Sequence, residues 1–170
     1  MVAGRKVPLL AAAALHAAAC AGTLEGARTG PPAGPPLRLV APDLEGRLVD
    51  VGAVGRVRVV ELWASWCEPC REALPALDRL ATELGPRGLS VYAVSLDEEA
   101  APLAAFLREV PVRVPVLWDR AGEASAALGA RRLPTTLVVD RAGRVRRAHE
   151  GFSEDWAREQ RLLVLRLLEE

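Results

Sequence analysis

The chain has 170 residues, of which 51% are hydrophobic, so it is long enough to bury the core of one domain and is not disordered throughout. Its 22 lysine and arginine residues are balanced by 22 aspartate and glutamate residues. This balance gives no electrostatic basis for nucleic acid or an anionic surface as the main partner, and we expect no nucleic-acid binding.

Residues 1–20 have the pattern of a secretion signal. Arg5 and Lys6 form a positively charged start, and about 13 mostly apolar residues follow from Val7 to Ala19. This stretch is shorter than the roughly 20 residues that a membrane-spanning helix needs. The pattern therefore predicts an exported protein.

The end of this segment leaves two outcomes open. Ala17-Ala18-Ala19 stands directly before Cys20 and resembles the bacterial lipoprotein box, in which the cysteine is lipid-modified and becomes the new N-terminus. Ala17 departs from that box, which usually carries leucine there. In this reading the lipid on Cys20 holds the protein on the periplasmic side of a bacterial membrane. The alternative is ordinary cleavage at the same alanines, with Cys20 removed or left as an incidental thiol.

Residues 21–36 predict a spacer. They are rich in glycine, alanine and threonine and end in Pro31-Pro32-Ala33-Gly34-Pro35-Pro36, a composition that behaves as a partly extended linker and cannot build a core. We therefore expect a signal over 1–20, a linker over 21–36 and one folded domain over 37–170.

The folded domain is predicted to alternate strands and helices. Short strands over 37–39 and 48–51 flank a turn, and the β-branched run 57–63 predicts a strand buried on both faces. The later predicted elements, in chain order, are a helix from near Cys67 to Gly85-Pro86, a strand over 89–96, a helix over 98–110, a strand over 114–118, a brief helix over 122–129, a hairpin over 135–139 and 145–148, and an amphipathic helix over 153–170. This order predicts an α/β sandwich around a mixed central sheet.

The sharpest chemical motif is Trp66-Cys67-Glu68-Pro69-Cys70, where the buried strand gives way to a helix. A cysteine at a helix start lies near unsatisfied backbone N–H groups, which favour the thiolate. The thiolate is the nucleophile of disulfide exchange, so Cys67 is the candidate attacking thiol and Cys70 the candidate resolving thiol. Pro69 suits the first turn of a helix because its missing N–H is not needed there.

Two other uses of a close cysteine pair are disfavoured. A zinc site would need further cysteine or histidine ligands, and the only histidines are His16 and His149. A structural disulfide over so short a loop would add little stability. The pair therefore predicts redox chemistry, with no metal and no cofactor.

The run Glu61-Leu-Trp-Ala-Ser-Trp-Cys-Glu-Pro-Cys-Arg71 resembles the active-site strand and turn of the thioredoxin superfamily, and within it the exported, membrane-anchored TlpA-like and ResA-like proteins. The resemblance extends from about Leu37 to the C-terminus. Pro75 matches the family's helix-kinking proline, and Leu133-Pro134-Thr135-Thr136 matches its cis-proline loop. The resemblance implies a thioredoxin-like three-layer sandwich, with helices on both sides of a mixed sheet and an N-terminal β-hairpin extension.

The resemblance also implies roles for three residues outside the motif. In this family the cis-proline loop lies against the cysteines and its backbone pairs with substrate, so Leu133 and Pro134 are candidate substrate-binding residues. An ordinary trans proline is the alternative. Glu61 matches a buried acid near the resolving cysteine, which implies a catalytic proton relay for Cys70. The alternative is a strand-edge carboxylate paired with an arginine such as Arg58.

Neighbouring residues are predicted to tune the site. Glu68 carries a charge that opposes the Cys67 thiolate and so favours the disulfide form, which predicts a reductant. Trp66 is expected to be partly exposed beside Cys67. ResA-like proteins usually carry glutamate three residues after the second cysteine, where this chain has Ala73, so a specific role in cytochrome c maturation is not implied.

Together these features predict a membrane-tethered thiol–disulfide oxidoreductase, acting as a monomer, that reduces disulfides of exported proteins. A membrane electron donor, a thiol–disulfide transmembrane reductase, would recharge it. A peroxiredoxin-like peroxidase is one alternative, but the threonine expected three residues before its reactive cysteine is Ala64 here. A non-catalytic binding or chaperone module is the other, and it would not need both cysteines.

Overall fold

The computed structural model describes residue 1, residues 34–153 and residues 155–170. Cys20, the rest of the predicted signal after residue 1 and most of the predicted linker lie outside the described residues. Within the described part of the chain, no helix has both the length and the apolar character needed to cross a membrane.

Strands and helices alternate along the described chain. The strands are β1 (Val40–Pro42), β2 (Leu48–Asp50), β3 (Val57–Trp63), β4 (Leu89–Ser95), β5 (Val116–Trp118), β6 (Thr135–Val139) and β7 (Val145–Glu150). The helices are α1 (Cys70–Leu84), α2 (Ala100–Glu109), α3 (Glu123–Leu128) and α4 (Trp156–Glu169), with a 3-10 turn at Gly85–Arg87. The predicted order is confirmed, but β1 lies later than the predicted strand over 37–39, and α1 begins at Cys70 rather than near Cys67.

Five strands form a mixed central sheet in the order β5-β4-β3-β6-β7. The central strand β3 is buried along its whole length, parallel to β4 and antiparallel to β6. Strands β1 and β2 form a separate antiparallel hairpin, which contacts β5 through a bridge between Asp43 and Leu117. This is the thioredoxin-like arrangement with an N-terminal hairpin extension that the sequence predicts.

The side chains of β3 divide between two hydrophobic cores. Val57, Val59 and Trp63 pack with α1, α2 and α4, in the core that also contains the two cysteines. Val60 and Leu62 pack on the other face of the sheet, with the N-terminal segment and α3. Because side chains alternate along a strand, the Glu61 side chain lies on the first of these faces, the one that carries the cysteines.

Candidate active site

The cysteine pair lies just beyond the carboxyl end of the central strand β3. After Trp63 the chain turns, and the Cys67 N–H donates a hydrogen bond of 3.0 Å to the Ala64 carbonyl. Cys67 and Cys70 are joined by a disulfide bond. Cys67 is 5% exposed, whereas Cys70 is fully buried as the first residue of α1. Of these two residues, Cys67 is therefore the one with exposed surface at which an external thiolate can approach the disulfide.

Helix α1 starts one residue after Pro69, which is its N-cap residue rather than part of its first turn. The N–H groups of Cys70 and Arg71 donate to the carbonyls of Cys67 and Glu68, each at 3.1 Å. These bonds close the turn between the cysteines. Pro75 lies within α1, as the resemblance implies.

The surroundings of the disulfide are aromatic and charged. The Trp66 side chain is 73% exposed next to Cys67. Glu68 is also exposed, and its Oε2 lies 3.5 Å from Nε of Arg71. Nη2 of the same arginine lies 3.0 Å from Oε2 of Glu109 on α2. Because the Arg71 charge opposes that of Glu68, the effect of Glu68 on a Cys67 thiolate is smaller than the sequence alone suggested.

Glu61 is fully buried in the middle of the sheet. Thr136, its partner in register on β6, donates a hydrogen bond from Oγ1 to Oε2 of Glu61 at 2.6 Å. The other oxygen, Oε1, has no hydrogen-bond partner among the described residues. Burial raises the pKa of Glu61 to about 8, although the hydrogen bond from Thr136 partly opposes this. At neutral pH the oxidised protein therefore holds this carboxyl group mainly in its protonated form.

The alternative pairing of Glu61 with Arg58 is not found. The two residues lie three positions apart on β3, so their side chains point to opposite faces of the sheet. Arg58 is buried on its own face and donates from Nη1 to the Arg56 carbonyl at 3.0 Å. Glu61 is thus a buried acid inside the sheet, and not one half of an ion pair.

A second buried carboxylate, Asp97, lies behind the loop that carries the cysteines. It accepts hydrogen bonds from the Ser65 N–H at 3.1 and 3.2 Å, from the Ser65 hydroxyl at 2.6 Å and from the Ser95 hydroxyl at 2.7 Å. These bonds hold Ser65, which lies two positions before Cys67, at the end of β4. This contact was not predicted from the sequence, where the only local signal for it is the spacing of Ser95 and Asp97.

The Leu133–Pro134 peptide bond is cis and directly precedes β6. Thr135 stands opposite Leu62 of β3, so the loop lies beside the end of β3 from which the cysteine turn departs. Leu133 is partly buried and packs against both cores. The Gly151 N–H donates to the Pro134 carbonyl at 2.7 Å, which fixes the loop to the end of β7. Leu133 and Pro134 thus lie at the same edge of the sheet as the cysteines.

Replacement Glu61→Gln should change how stability depends on pH. The carboxyl group ionises near 4.5 in the unfolded chain and near 8 in the folded one, so unfolding releases a proton between these values. The protonated Glu61 side chain therefore makes its full contribution to the stability of the folded protein below pH 4.5, and this contribution is lost as pH rises to about 8. Urea unfolding of the oxidised protein between pH 5 and 9 should therefore show the free energy of unfolding of the wild type falling by a few kcal/mol relative to Glu61→Gln. Parallel curves for the two proteins would contradict the buried protonated state.

The comparisons with known proteins agree with this geometry. A model of the AhpC/TSA family matches residues 38–148. The thiol-disulfide oxidoreductase ResA of Bacillus thuringiensis subsp. konkukian is 28% identical over 107 residues, and the match covers 62% of this chain and 62% of that protein. The chain thus matches less than two thirds of the length of this relative.

Two solved structures show the same fold. A putative thiol:disulfide interchange protein DsbE from Chlorobium tepidum is 28% identical and superposes with a TM-score of 0.75, covering 80% of this chain and 96% of that one. The exposed lipoprotein thioredoxin Etrx1 of Streptococcus pneumoniae is 25% identical with a TM-score of 0.63, covering 75% and 98%. Because the family model spans more than half of the sequence and includes the cysteine turn, the chain belongs to the AhpC/TSA family and has its thioredoxin-like fold.

Proposed function

We propose that the chain is a thiol–disulfide oxidoreductase of the ResA and DsbE type. The observation that carries this proposal is the Cys67–Cys70 disulfide at the end of the central strand, with the cis-proline loop at the same sheet edge and a fully buried acid within the sheet. The relatives named thiol-disulfide oxidoreductase or thiol:disulfide interchange protein support it.

Reduction of a substrate would proceed through a mixed disulfide. The Cys67 thiolate attacks one sulfur of the substrate disulfide and displaces the other sulfur as a thiolate. Cys70 then gives its proton to the Glu61 carboxylate, and the Cys70 thiolate attacks the sulfur of Cys67. The Cys67–Cys70 disulfide forms, the second substrate thiolate leaves, and two electrons have passed from the protein to the substrate.

Glu61 would donate a proton, and not accept one, when an electron donor reduces the Cys67–Cys70 disulfide. A donor thiolate attacks the sulfur of Cys67, and Cys70 leaves as a thiolate within the core. The protonated Glu61 then supplies the proton that Cys70 needs. The second thiolate of the donor attacks the donor sulfur bound to Cys67, which forms the donor disulfide and releases Cys67 as a thiolate. The pKa of about 8 supports the proton transfer from Glu61, because the carboxyl group is already protonated in the oxidised protein at neutral pH.

Substrate would bind along the cis-proline loop. The N–H and C=O groups of Leu133 form no backbone hydrogen bond within the described residues, so an extended substrate segment can pair with them. The exposed Trp66 offers an apolar surface beside the attacking sulfur. This arrangement recognises backbone and apolar surface, which suits several disulfide-bearing proteins rather than one.

Replacement Cys70→Ser should trap the mixed disulfide, because the residue that releases the substrate is then absent. Mass spectrometry after mixing the reduced variant with oxidised glutathione should show a stable glutathione adduct on Cys67. Replacement Cys67→Ser should show far less adduct, since Cys70 is fully buried. Equal adducts on the two variants would contradict the assignment of Cys67 as the attacking thiol. Absence of disulfide reduction by the wild type itself would instead favour a non-catalytic module.

We further propose that electrons flow from this protein to its substrates. The charge of Glu68 opposes the Cys67 thiolate, and Arg71 offsets it only across an exposed contact of 3.5 Å. Because thiolate formation stabilises the reduced protein, weaker thiolate stabilisation lowers the reduction potential. Disulfide-bearing exported proteins would be the substrates, and a thiol–disulfide transmembrane reductase would be the donor.

The reduction potential of the purified chain tests this direction. Titration against dithiothreitol, followed by tryptophan fluorescence, should give a value near −270 mV, as for thioredoxin, whereas a value near −120 mV would mark an oxidant. Glu68→Gln should make the potential less negative by about 10–20 mV. Glu83→Gln, which removes an exposed charge from the far end of α1, should leave it unchanged. A shift of equal size in this control would remove the role given to Glu68.

We also propose that a lipid on Cys20 tethers the protein outside the cytoplasm, with residues 21–36 as the spacer and 37–170 as a monomeric domain. The charged start, the apolar stretch and the small residues before Cys20 support export and lipid attachment. The description of Etrx1 as an exposed lipoprotein agrees with this arrangement in a similar protein.

Replacement Cys20→Ala should release the protein from membranes. When the full chain is expressed in a bacterial host, the wild type should sediment with membranes and the variant should be found in the soluble periplasmic fraction. Cys67→Ser serves as the control, because it removes a different cysteine and should remain in the membrane fraction. A wild type that is already soluble and begins after Cys20 would support ordinary signal cleavage.

A further inference from the structure

Three buried polar side chains form a continuous chain of hydrogen bonds across the sheet and α4. The indole Nε1 of Trp156 donates to Oγ1 of Thr136 at 3.0 Å, and the Thr136 hydroxyl donates to Oε2 of Glu61 at 2.6 Å. Glu61 and Thr136 are fully buried, and Trp156 is 1% exposed. The contacts join β3, β6 and the first residue of α4, which are far apart in the sequence.

The Trp156–Thr136 hydrogen bond has only one possible direction. An indole nitrogen can donate but cannot accept, so the Thr136 oxygen receives the hydrogen from Trp156. The single hydroxyl hydrogen of Thr136 is then free to point at Glu61. A donor aimed at a carboxyl oxygen stabilises the ionised form, and a first hydrogen bond strengthens the next one in a buried series.

We propose that Thr136 and Trp156 are positioning residues, which hold the Glu61 carboxyl group in one orientation and set its affinity for the proton exchanged with Cys70. The inference rests on the proposed role of Glu61 in disulfide exchange. With Oε2 held by Thr136, Oε1 has no partner among the described residues and is the oxygen left to carry or receive the proton. Helix α4 thereby takes part in the active site through its first residue.

Few other charges surround Glu61. On the buried faces of α1, α2, α4, β4 and β6 around it, the residues with an ionisable side-chain type among those described are Cys67 and Cys70, which do not titrate while they form the disulfide. Beyond the end of β4 lies Asp97, whose carboxylate accepts hydrogen bonds from Ser65 and Ser95. Thr136 is the donor that contacts Glu61 directly, so its hydroxyl is the main local control on the proton affinity of this group.

The test compares variants that remove one hydrogen bond while keeping the shape. Thr136→Val removes the hydroxyl, Thr136→Ser retains it, and Trp156→Phe keeps an aromatic ring without the N–H. Trp118→Phe is the control for the indole, because Nε1 of Trp118 donates to the Asp97 carbonyl and not to Thr136. The ¹³C resonance of the Glu61 carboxyl group, assigned from its loss in Glu61→Gln, is titrated in the full, oxidised chain.

Thr136→Val should raise the titration midpoint of Glu61 by about one pH unit, because a hydrogen bond to the charged form is lost. Trp156→Phe should raise it by less, while Thr136→Ser and Trp118→Phe should leave it unchanged. If the titration midpoint of Glu61 stays at its wild-type value in both Thr136→Val and Trp156→Phe, the inference is overturned. If Thr136→Val does not fold, a Trp156→Phe midpoint equal to the wild type has the same meaning.

A second measurement separates this inference from the proposed function. The rate at which dithiothreitol reduces each variant is followed against pH, and its midpoint should move with the midpoint of the carboxyl resonance. If the resonance shifts but the rate profile does not, Thr136 and Trp156 do position Glu61, and the proton relay to Cys70 is wrong. If neither moves, the positioning role itself is overturned.

Discussion

The structure depends on one costly feature, an ionisable side chain buried at the centre of its central strand. Glu61 has strand neighbours on both sides, Ala93 on β4 and Thr136 on β6, and no solvent exposure. Burying a carboxylate there without a counter-ion is unfavourable, so the group takes up a proton instead. A residue that keeps a proton inside the core, on the face that contains a disulfide, can supply it when the disulfide opens.

The topology of the sheet brings the remaining parts of the site to one edge. Strand β3 is parallel to β4 and antiparallel to β6, so the carboxyl ends of β3 and β4 lie beside the beginning of β6. The cysteine turn follows β3, the Asp97 loop follows β4 and the cis-proline loop precedes β6. Three loops from distant parts of the sequence therefore meet without any one of them being long.

Local sequence was sufficient to predict the parts of this site that depend on short-range patterns. The Cys67–Cys70 spacing, the β-branched run of β3 and the hairpin signal between β6 and β7 each depend on a few neighbouring residues. The burial of Glu61 was predicted from the resemblance. Contacts between distant residues were not predictable in this way: Thr136 is 75 residues from Glu61, and Arg71 is 38 residues from Glu109. Such pairings follow from strand register and helix packing, which the local patterns in a single sequence do not reveal.

The two buried carboxylates show how the same group can serve structure or chemistry. Asp97 accepts hydrogen bonds from one backbone N–H and two hydroxyl groups, so both its oxygens are occupied and it acts as an anchor for the loop before Cys67. Glu61 has one donor, and its second oxygen has no partner among the described residues. The unpartnered oxygen of Glu61 can gain or lose a proton with little rearrangement around it. The difference in hydrogen bonding, more than the burial that the two residues share, is the basis for proposing Glu61 as the proton-transfer group.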